Sequence, residues 1–149
     1  PESRPPVLVV ATRNAGKLRE MRRLLAGLDV DVRGLEEFGQ APPVEETGRT
    51  FAENARLKAV AATRATGCPA LADDSGLCVE ALGGKPGVHS ARYAGPAADD
   101  MTRCRKLLSA MEGIRDRRAA FECVISIFLI SLLRIFHLLR NNKMAYQEC

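Results

Sequence analysis

The sequence predicts an α/β fold, because segments typical of buried strands alternate along the chain with segments typical of helices. The clearest strand is the apolar run Val7 to Val10, and an amphipathic helix pattern follows it directly. Further on, a helix pattern follows Thr50, strand patterns lie within residues 68–82, and another helix pattern covers residues 100–111. No internal repeat interrupts this alternation, so we expect one domain over residues 1–149.

The first unit is a strand, a short loop and a helix. Val7 to Val10 follow two prolines and have the β-branched composition of a buried parallel strand. The loop "ATRNAGK" is polar and tight. After it, apolar residues recur at spacings of three and one and cover one helical face that ends near Gly27. They are Leu18, Met21, Leu24 and Leu25.

The middle of the chain predicts a loop, a helix and two short strands. Residues 34–50, "GLEEFGQAPPVEETGRT", are rich in Gly, Pro and Glu and are typical of a loop. Thr50 precedes Glu53 by three residues, a capping-box spacing that begins a helix continuing to Ala62. "CPALADDSG" then indicates a short strand running into a turn, and "LCVEAL" a second strand.

The last third predicts a loop, a helix and a strand. Residues 83–96, "GGKPGVHSARYAGP", contain four glycines and two prolines and indicate a loop. Asp100 to Met111 show helical periodicity, and "AAFECVISIFLI", residues 119–130, is typical of a strand.

Composition limits the classes of function. The chain has 149 residues, 46% of them hydrophobic and 27% charged, which is typical of a globular domain with a real core. Its net charge of +4 is small and spread along the chain, so we expect no nucleic-acid partner. The five cysteines form no C-x-x-C pair, which favours reduced thiols and a cytoplasmic location.

We expect neither a secretory signal nor a membrane span. The N-terminal residues lack a charged segment followed by a long apolar one. The most apolar stretch, residues 124–139, contains Arg134 and His137 and is shorter than the roughly 20 residues that a spanning helix needs.

The loop "ATRNAGK" is a candidate anion-binding site. A loop that leaves a buried strand and enters a helix exposes backbone N–H groups, which attract anions together with the helix dipole. Lys17 adds a positive charge, and Thr12 and Asn14 add short hydrogen-bonding side chains. It is not a Walker A loop, because Leu18 follows the lysine and the earlier glycine is missing. The plainer interpretation is an ordinary strand-to-helix turn with a solvated lysine.

Asp73 and Asp74 are a candidate metal site. Two adjacent carboxylates at the end of a buried strand repel each other, and a divalent cation such as Mg²⁺ offsets that cost. Neighbouring residues on a strand point to opposite faces, so only one carboxylate need reach the ligand. Glu45 and Glu46 offer a further acid. The alternative is a turn with solvated acids.

Four other residues have more than one interpretation. Arg92 and Tyr93 clamp a loop, contact a base, or form a surface pair in which the arginine packs on the tyrosine. His89 is more typical of a loop than of a ligand, and Lys58 either reaches a phosphate or is solvated.

Several motifs, taken in order and spacing, resemble the inosine triphosphate pyrophosphatases, which hydrolyse non-canonical purine nucleoside triphosphates. They are "ATRNAGK", "EETGRTFAENARLKA", "ADDSGL", "LGGKPGVHSARYAG" and "RRAAFECV", and the resemblance covers about Val7 to Ile125. It implies an α/β fold with a mixed central sheet flanked by helices. It also implies cleavage of ITP, dITP or XTP to monophosphate and pyrophosphate with Mg²⁺, and a homodimer.

The resemblance assigns roles to individual residues. Asp74 is implied to be the catalytic acid, which binds Mg²⁺ and orients or deprotonates water, with Asp73 supporting it. Glu45 is the implied second metal ligand, with Glu46 as the alternative. Arg13 departs from the family pattern, since many relatives have glycine there. The implied substrate-binding residues are Thr12, Arg13, Asn14, Ala15, Gly16, Lys17, Lys58 and Ser75.

After Ile125 we find no family motif, so we treat residues 126–149 as a tail outside the resemblance. Relatives continue to a Gly-Phe-Gly-Tyr-Asp-Pro motif, a lysine and a Ser-His-Arg that contact base and phosphates, and none occurs in "SIFLISLLRIFHLLRNNKMAYQEC". We therefore expect weak purine selectivity and reduced turnover.

The tail leaves a second function open. The alternative to an enzyme is an inactive variant that associates with a partner through an apolar helical face. That face consists of Leu129, Leu132, Leu133, Phe136 and Leu139. The plainer interpretation, which we favour, makes Val124 to Ile130 a core strand and the remainder a surface helix.

Overall fold

The computed structural model describes residues 4–39 and 44–129. In that part of the chain, four strands and three α-helices are joined by short 3₁₀ turns at Leu35–Phe38, Glu80–Leu82 and Gly87–Arg92. In chain order the elements are β1 (Val7–Val10), α1 (Ala15–Leu25), β2 (Asp31–Gly34), α2 (Phe51–Thr66), β3 (Ala70–Val79), α3 (Asp100–Ala110) and β4 (Ala119–Phe128).

The strands form one mixed sheet in the order β2-β1-β3-β4. β1 runs parallel to β2, with Val7 opposite Asp31, and parallel to β3, with Val9 opposite Ala70. β3 and β4 run in opposite directions, because the chain just after β3 meets the chain just before β4. There the Glu80 N–H donates to the Arg118 carbonyl oxygen at 3.1 Å.

The chain divides into two compact units. The first contains Pro1–Glu45, Arg56–Ala72 and Ser126–Cys149, and the second contains Glu46–Ala55 and Asp73–Ile125.

The first unit has a buried cluster on each side of its strands. One packs small residues of α2 against the sheet and consists of Val9, Ala11, Ala59, Ala62, Ala70 and Ala72. Phe128 packs on this cluster, and the Thr63 hydroxyl donates to its carbonyl oxygen at 3.3 Å. The other cluster packs Leu18 of α1 against Val10 and Leu71. Alternate residues of a strand point to opposite faces, which explains how Val9 and Val10 serve different clusters.

The second unit is built around the latter half of β3. Phe51, Val79 and Met111 are its buried large apolar residues in the described part of the chain. Asn54, Asp73 and Asp74 are also buried, so this unit encloses polar as well as apolar side chains.

The predicted α/β class with a mixed, helix-flanked sheet is confirmed, but three details of the prediction are wrong. "CPALADDSG" and "LCVEAL" are not two strands with a turn, because β3 is continuous from Ala70 to Val79. β2 was not predicted, since a four-residue strand with two charged residues carries little pattern.

The third difference concerns β4. Residues 124–130 were expected to form a core strand, yet β4 ends at Phe128 and lies at the edge of the described sheet. None of its residues is buried, and Ile125 and Ile127 are 51% and 56% exposed. The apolar composition of this segment predicts a strand, but it does not predict whether other parts of the protein cover that strand. Of the proposed interaction face only Leu129, 47% exposed, belongs to the described residues; Leu132, Leu133, Phe136 and Leu139 lie outside them.

Candidate functional site

The loop after β1 is closed by Asn14, which caps α1. Its side-chain oxygen accepts the backbone N–H of Gly16 at 2.8 Å and that of Lys17 at 3.3 Å. The Thr12 hydroxyl accepts the Asn14 N–H at 3.1 Å, which holds the cap in place. Asn and Thr are therefore needed here for the turn itself, because helix N-termini leave N–H groups without intrahelical partners.

This capping changes the expectation for the anion site. The N–H groups of Gly16 and Lys17 already have an acceptor in Asn14, so an anion here would have to share these donors or replace the Asn14 oxygen. The side chains around the cap are accessible: Arg13 and Asn14 are exposed, and Thr12 and Lys17 are half-buried. The loop thus combines a helix N-terminus with two basic side chains.

Asp73 and Asp74 lie inside β3 and are both buried, with 7% and 8% of their surfaces exposed. This rules out the alternative of solvated acids in a turn. Asp74 accepts a hydrogen bond at its Oδ2 from the Asn54 Nδ2 at 3.2 Å. Asn54 is itself fully buried at 0% exposure. A buried carboxylate held by a buried amide has a fixed direction, which an exposed acid lacks.

The segment before α2 is tied to the same amide. The Asn54 Oδ1 accepts the Gly48 N–H at 2.8 Å. Residue 48 must be glycine for this approach, because a Cβ there would lie 2.5 Å from the Asn54 Oδ1 and 2.9 Å from its backbone nitrogen. One side chain therefore joins Gly48 to Asp74.

The predicted capping of α2 is present in altered form. The Thr50 hydroxyl accepts the Glu53 N–H at 3.1 Å, as a capping box requires. The Glu53 carboxylate, however, accepts from the Arg49 N–H at 2.6 Å, one residue earlier than expected.

Of the two candidate glutamates, Glu46 has an ion-pair partner in the same unit. The Arg92 Nη1 lies 3.3 Å from the Glu46 Oε2, and its Nη2 donates to the Glu46 carbonyl oxygen at 3.5 Å. Arg92 thus clamps a loop, which was one of its predicted roles. Glu45 is exposed and belongs to the first unit.

The loop that carries Arg92 is fastened to β3 by a serine. The Ser90 hydroxyl accepts the Leu77 N–H at 2.9 Å and donates to the Gly87 carbonyl oxygen at 2.6 Å. Leu77 is in β3, so these bonds fix the 3₁₀ turn Gly87–Arg92 against the strand that contains Asp74.

Two basic residues of α3 hold the end of the same loop. Arg103 donates to the carbonyl oxygens of Ala91 at 2.9 Å and Ala98 at 2.6 Å. Lys106 donates to the Tyr93 carbonyl oxygen at 2.7 Å and lies 4.9 Å from the centre of its ring. Side chains of α3 therefore add to the backbone hydrogen bonds that order this glycine-rich stretch, such as those from the His89 N–H to the Pro86 carbonyl oxygen and from the Gly95 N–H to the Arg92 carbonyl oxygen.

The predicted site residues are divided between the two units. The loop residues 12–17, Lys58 and Glu45 belong to the first, and Asp74 and Ser75 to the second. Lys58 lies on α2 and is half-buried, as is Ser75 on β3, while His89 is exposed in the 3₁₀ turn.

Two residues of the site, Asn54 and Ser90, were not predicted from the sequence. The only signal for either was its position inside a motif, "FAENA" or "HSARY".

No group of three or more His, Cys, Asp or Glu side chains that could hold a metal ion occurs within residues 4–39 and 44–129. Mg²⁺ does not require such a group, because it is usually bound by one or two carboxylates together with water and substrate phosphates. The buried Asp74 carboxylate offers the hard oxygen donors that this ion prefers, so this residue fits Mg²⁺ and not a softer metal.

A separate cavity of about 520 Å³ lies beside the end of β3 and the start of β4. Partial burial, and secondly a hydrogen bond with Glu122, raise the pKa of the Cys78 thiol above its ordinary value. The thiol is thus protonated at neutral pH and unsuited to act as a nucleophile. The lining residues are Cys78, Glu80, Gly84, Arg118, Ala119, Ala120 and Glu122.

Two further expectations concern the cysteines and a membrane span. Cys68, Cys78, Cys104 and Cys123 are all free thiols. In the part of the chain that the structure describes, no helix has the length and apolar character to cross a membrane.

Fold and site together define an α/β protein with a capped helix after β1 and a buried carboxylate pair in β3. The chain belongs to the Ham1 family, whose sequence profile matches residues 8–137. This confirms the predicted family, and the match continues past Ile125, where the recognised motifs ended.

Named relatives agree with this assignment. The chain is 56% identical over 121 residues to a dITP/XTP pyrophosphatase of Syntrophobacter fumaroxidans, covering 81% of this chain and 52% of that one. It is 56% identical over 122 residues to a dITP/XTP pyrophosphatase of Geobacter sulfurreducens, covering 80% and 61%. The chain therefore spans about half to three fifths of the length of these relatives.

A solved structure confirms the fold. The HAM1 protein from Coxiella burnetii superimposes with a TM-score of 0.78 at 47% identity, covering 83% of this chain and 64% of that one.

Proposed function

We propose that this chain is a nucleoside triphosphate pyrophosphatase that cleaves dITP, ITP or XTP to the monophosphate and pyrophosphate. The observation that carries the proposal is the buried Asp74 carboxylate, held by Asn54 in a chain 56% identical to dITP/XTP pyrophosphatases. A fixed, buried carboxylate is what a group that orients or deprotonates water requires. The relatives' names do not favour the alternative, an inactive association module.

Asp74 is the proposed catalytic residue. Its carboxylate accepts a proton from the attacking water, whose oxygen bonds to the α-phosphorus. The bond from the α-phosphorus to the oxygen that bridges to the β-phosphate breaks, and pyrophosphate leaves. Asp73 supports Asp74 from the adjacent position of β3, and Ser75 contacts the substrate.

The proposed cofactor is Mg²⁺, held by Asp74. When bound, the ion supplies positive charge that stabilises the phosphate oxygens during cleavage. Glu45 keeps the second ligand role that the resemblance assigns, and Glu46, which forms an ion pair with Arg92, remains the alternative.

Phosphate binding is proposed for the capped N-terminus of α1. Its dipole and Lys17 attract negative charge, and residues 12–16 provide backbone and side-chain donors. Lys58 on α2 is a further proposed phosphate contact. We also propose a homodimer and a cytoplasmic location, as the resemblance implies.

Pyrophosphate release from dITP, ITP, XTP and GTP, measured with Mg²⁺ and with EDTA, tests the proposal. We expect Mg²⁺-dependent release from the first three. Because the base-contacting motifs of relatives were not found in this sequence, we expect weak discrimination against GTP. Absence of release from every nucleotide at micromolar enzyme would refute the function.

A further inference from the structure

We infer that Asn54 is the positioning residue for Asp74: its buried amide fixes the rotation of the carboxylate and links it to the backbone at Gly48. The inference rests on the proposed function for its effect on turnover, but the contacts that carry it lie within the second unit alone. No role for Asn54 was predicted from the sequence.

The orientation of the amide is determined by its two partners. The backbone N–H of Gly48 can only donate, so the Asn54 atom 2.8 Å from it must be the acceptor Oδ1. The other end is then the donor Nδ2, which lies 3.2 Å from the Asp74 Oδ2. If the amide were flipped, its NH₂ group would face the Gly48 N–H, which is also a donor. Its oxygen would face the Asp74 carboxylate, which is also an acceptor. Asn54 therefore presents a donor to the carboxylate in one geometry only.

Burial makes these two bonds hard to replace. Asn54 has 0% of its surface exposed, so water cannot take over either partner without opening the structure. Its backbone is fixed as well, because its N–H donates to the Thr50 carbonyl oxygen at 3.2 Å in the first turn of α2. The carboxylate is thus held by a group that cannot itself rotate.

The shape of the segment before α2 depends on the same side chain. A Cβ at residue 48 would overlap the Asn54 Oδ1 and backbone nitrogen, so glycine is required for the approach. Gly48 lies two residues from Glu46, which Arg92 holds by an ion pair. Asn54 therefore connects Asp74 to a segment that is fastened at its other end.

The test compares Asn54→Asp with Thr50→Ala. Asn54→Asp is nearly isosteric and keeps an oxygen for the Gly48 N–H, but it replaces the donor facing Asp74 by a second carboxylate oxygen. Thr50→Ala removes a hydrogen bond from the same helix end, that from the Glu53 N–H, and leaves Asp74 untouched. It controls for loss of helix stability.

For pyrophosphate release from dITP, we expect Asn54→Asp to lower kcat at least 20-fold while KM changes less than threefold. Thr50→Ala should keep kcat within twofold. A purely structural role would lower the folded fraction and leave the kcat of the folded protein unchanged. Folded Asn54→Asp with wild-type kcat, or an equal loss in Thr50→Ala, would overturn the inference.

A measurement without turnover keeps the inference separate from the proposed function. In ¹⁵N spectra of the full chain, the Asn54 side-chain NH₂ should exchange with solvent at least tenfold faster in Asp74→Ala than in the wild type. Asp116→Ala, an exposed carboxylate paired with Arg118, should leave this exchange unchanged. If the wild type releases no pyrophosphate, the proposed function fails and this exchange alone decides the role of Asn54. Unchanged exchange in Asp74→Ala overturns it, whatever the activity.

Discussion

The Ser90 hydroxyl occupies the space in front of Gly76. A Cβ at residue 76 would lie 2.5 Å from the Ser90 Oγ and 2.4 Å from the Gly87 carbonyl oxygen. Glycine at this position therefore lets the 3₁₀ turn Gly87–Arg92 pack directly on β3, two residues after Asp74. The motif "ADDSGL" thus combines a buried acid with a close approach between a loop and a strand.

Gly76→Ala should destabilise the fold. The added methyl group meets backbone at Gly87, which cannot move aside as a flexible side chain can, so overpacking should cost about 1–3 kcal/mol. Gly27→Ala is the matched control, because a Cβ at that exposed glycine has nothing within 4 Å. Thermal unfolding followed by circular dichroism should show a lower Tm for Gly76→Ala only. Equal Tm values for the two variants would contradict the close packing.

Asp74→Asn should abolish Mg²⁺-dependent pyrophosphate release while the protein remains folded. The amide is similar in size, but it is neutral and a poor proton acceptor, so we expect a loss of at least about 100-fold in kcat. Asp116→Asn, which changes an exposed carboxylate by the same charge, is the control. Turnover that survives in Asp74→Asn would remove this residue from the mechanism.

Lys17→Ala should mainly raise KM for the triphosphate. Its charge interacts with phosphates in the bound substrate as well as in the transition state, and loss of such uniform binding leaves kcat nearly unchanged. Arg23→Ala removes the same charge from an exposed position in the last turn of α1 and should change neither constant. A lower kcat with normal KM would assign Lys17 a different role.

Acid should weaken the cap of α3. The Asp99 carboxylate accepts the Thr102 N–H at 2.8 Å, and hydrogen bonds from the Thr102 hydroxyl and then its backbone hold the pKa of Asp99 below its ordinary value of 3.8. A lowered folded pKa means that the stabilisation is complete above pH 3.8 and is lost as pH falls through the folded value.

The corresponding measurement is Tm between pH 2 and 7. The difference in Tm between wild type and Asp99→Ala should be constant above about pH 5 and narrow below the ordinary pKa of aspartate. Asp99→Asn keeps a cap that does not titrate, so its difference from Asp99→Ala should stay constant with pH. If the Tm difference between wild type and Asp99→Ala widened in acid, the Asp99 cap would stabilise the fold more when it is protonated, and the prediction would be wrong.

Most of the fold could be predicted because its elements have strong periodicity. α1, α2 and α3 were placed within a few residues, since apolar spacing and the Thr50 cap are local signals. β3 was divided wrongly because Asp73, Asp74 and Gly76 are typical of turns. Asp74 contacts Asn54 and Gly76 contacts Ser90, and a local pattern cannot contain partners so distant in sequence.

The importance of the acidic pair in β3 could be predicted from the sequence, but its contacts could not. The acidic pair attracted attention because buried charge is costly, and the structure does bury it. The bond from Asn54 to Asp74 joins residues 20 positions apart, and nothing in the spacing predicts which atoms meet. The resemblance to a known family selected fewer candidate site residues than periodicity could, because it uses several motifs at once.

The exposed face of β4 should make this chain associate. Phe121 and Ile125 are four residues apart and therefore lie on the same face of β4, with 71% and 51% of their surfaces exposed. β4 also lies at the edge of the described sheet. Apolar faces and open edges both favour association, so sedimentation velocity should show a mass that rises with concentration.

Replacing both residues by lysine, Phe121→Lys with Ile125→Lys, should shift the chain towards monomer, because two charges on that face oppose its burial. Leu24→Lys tests the specificity of the effect, since Leu24 is 70% exposed but lies on α1 next to Arg22 and Arg23. It should leave the mass distribution unchanged. A wild-type chain that sediments as a monomer at all concentrations, or an equal shift in Leu24→Lys, would show that β4 does not drive association.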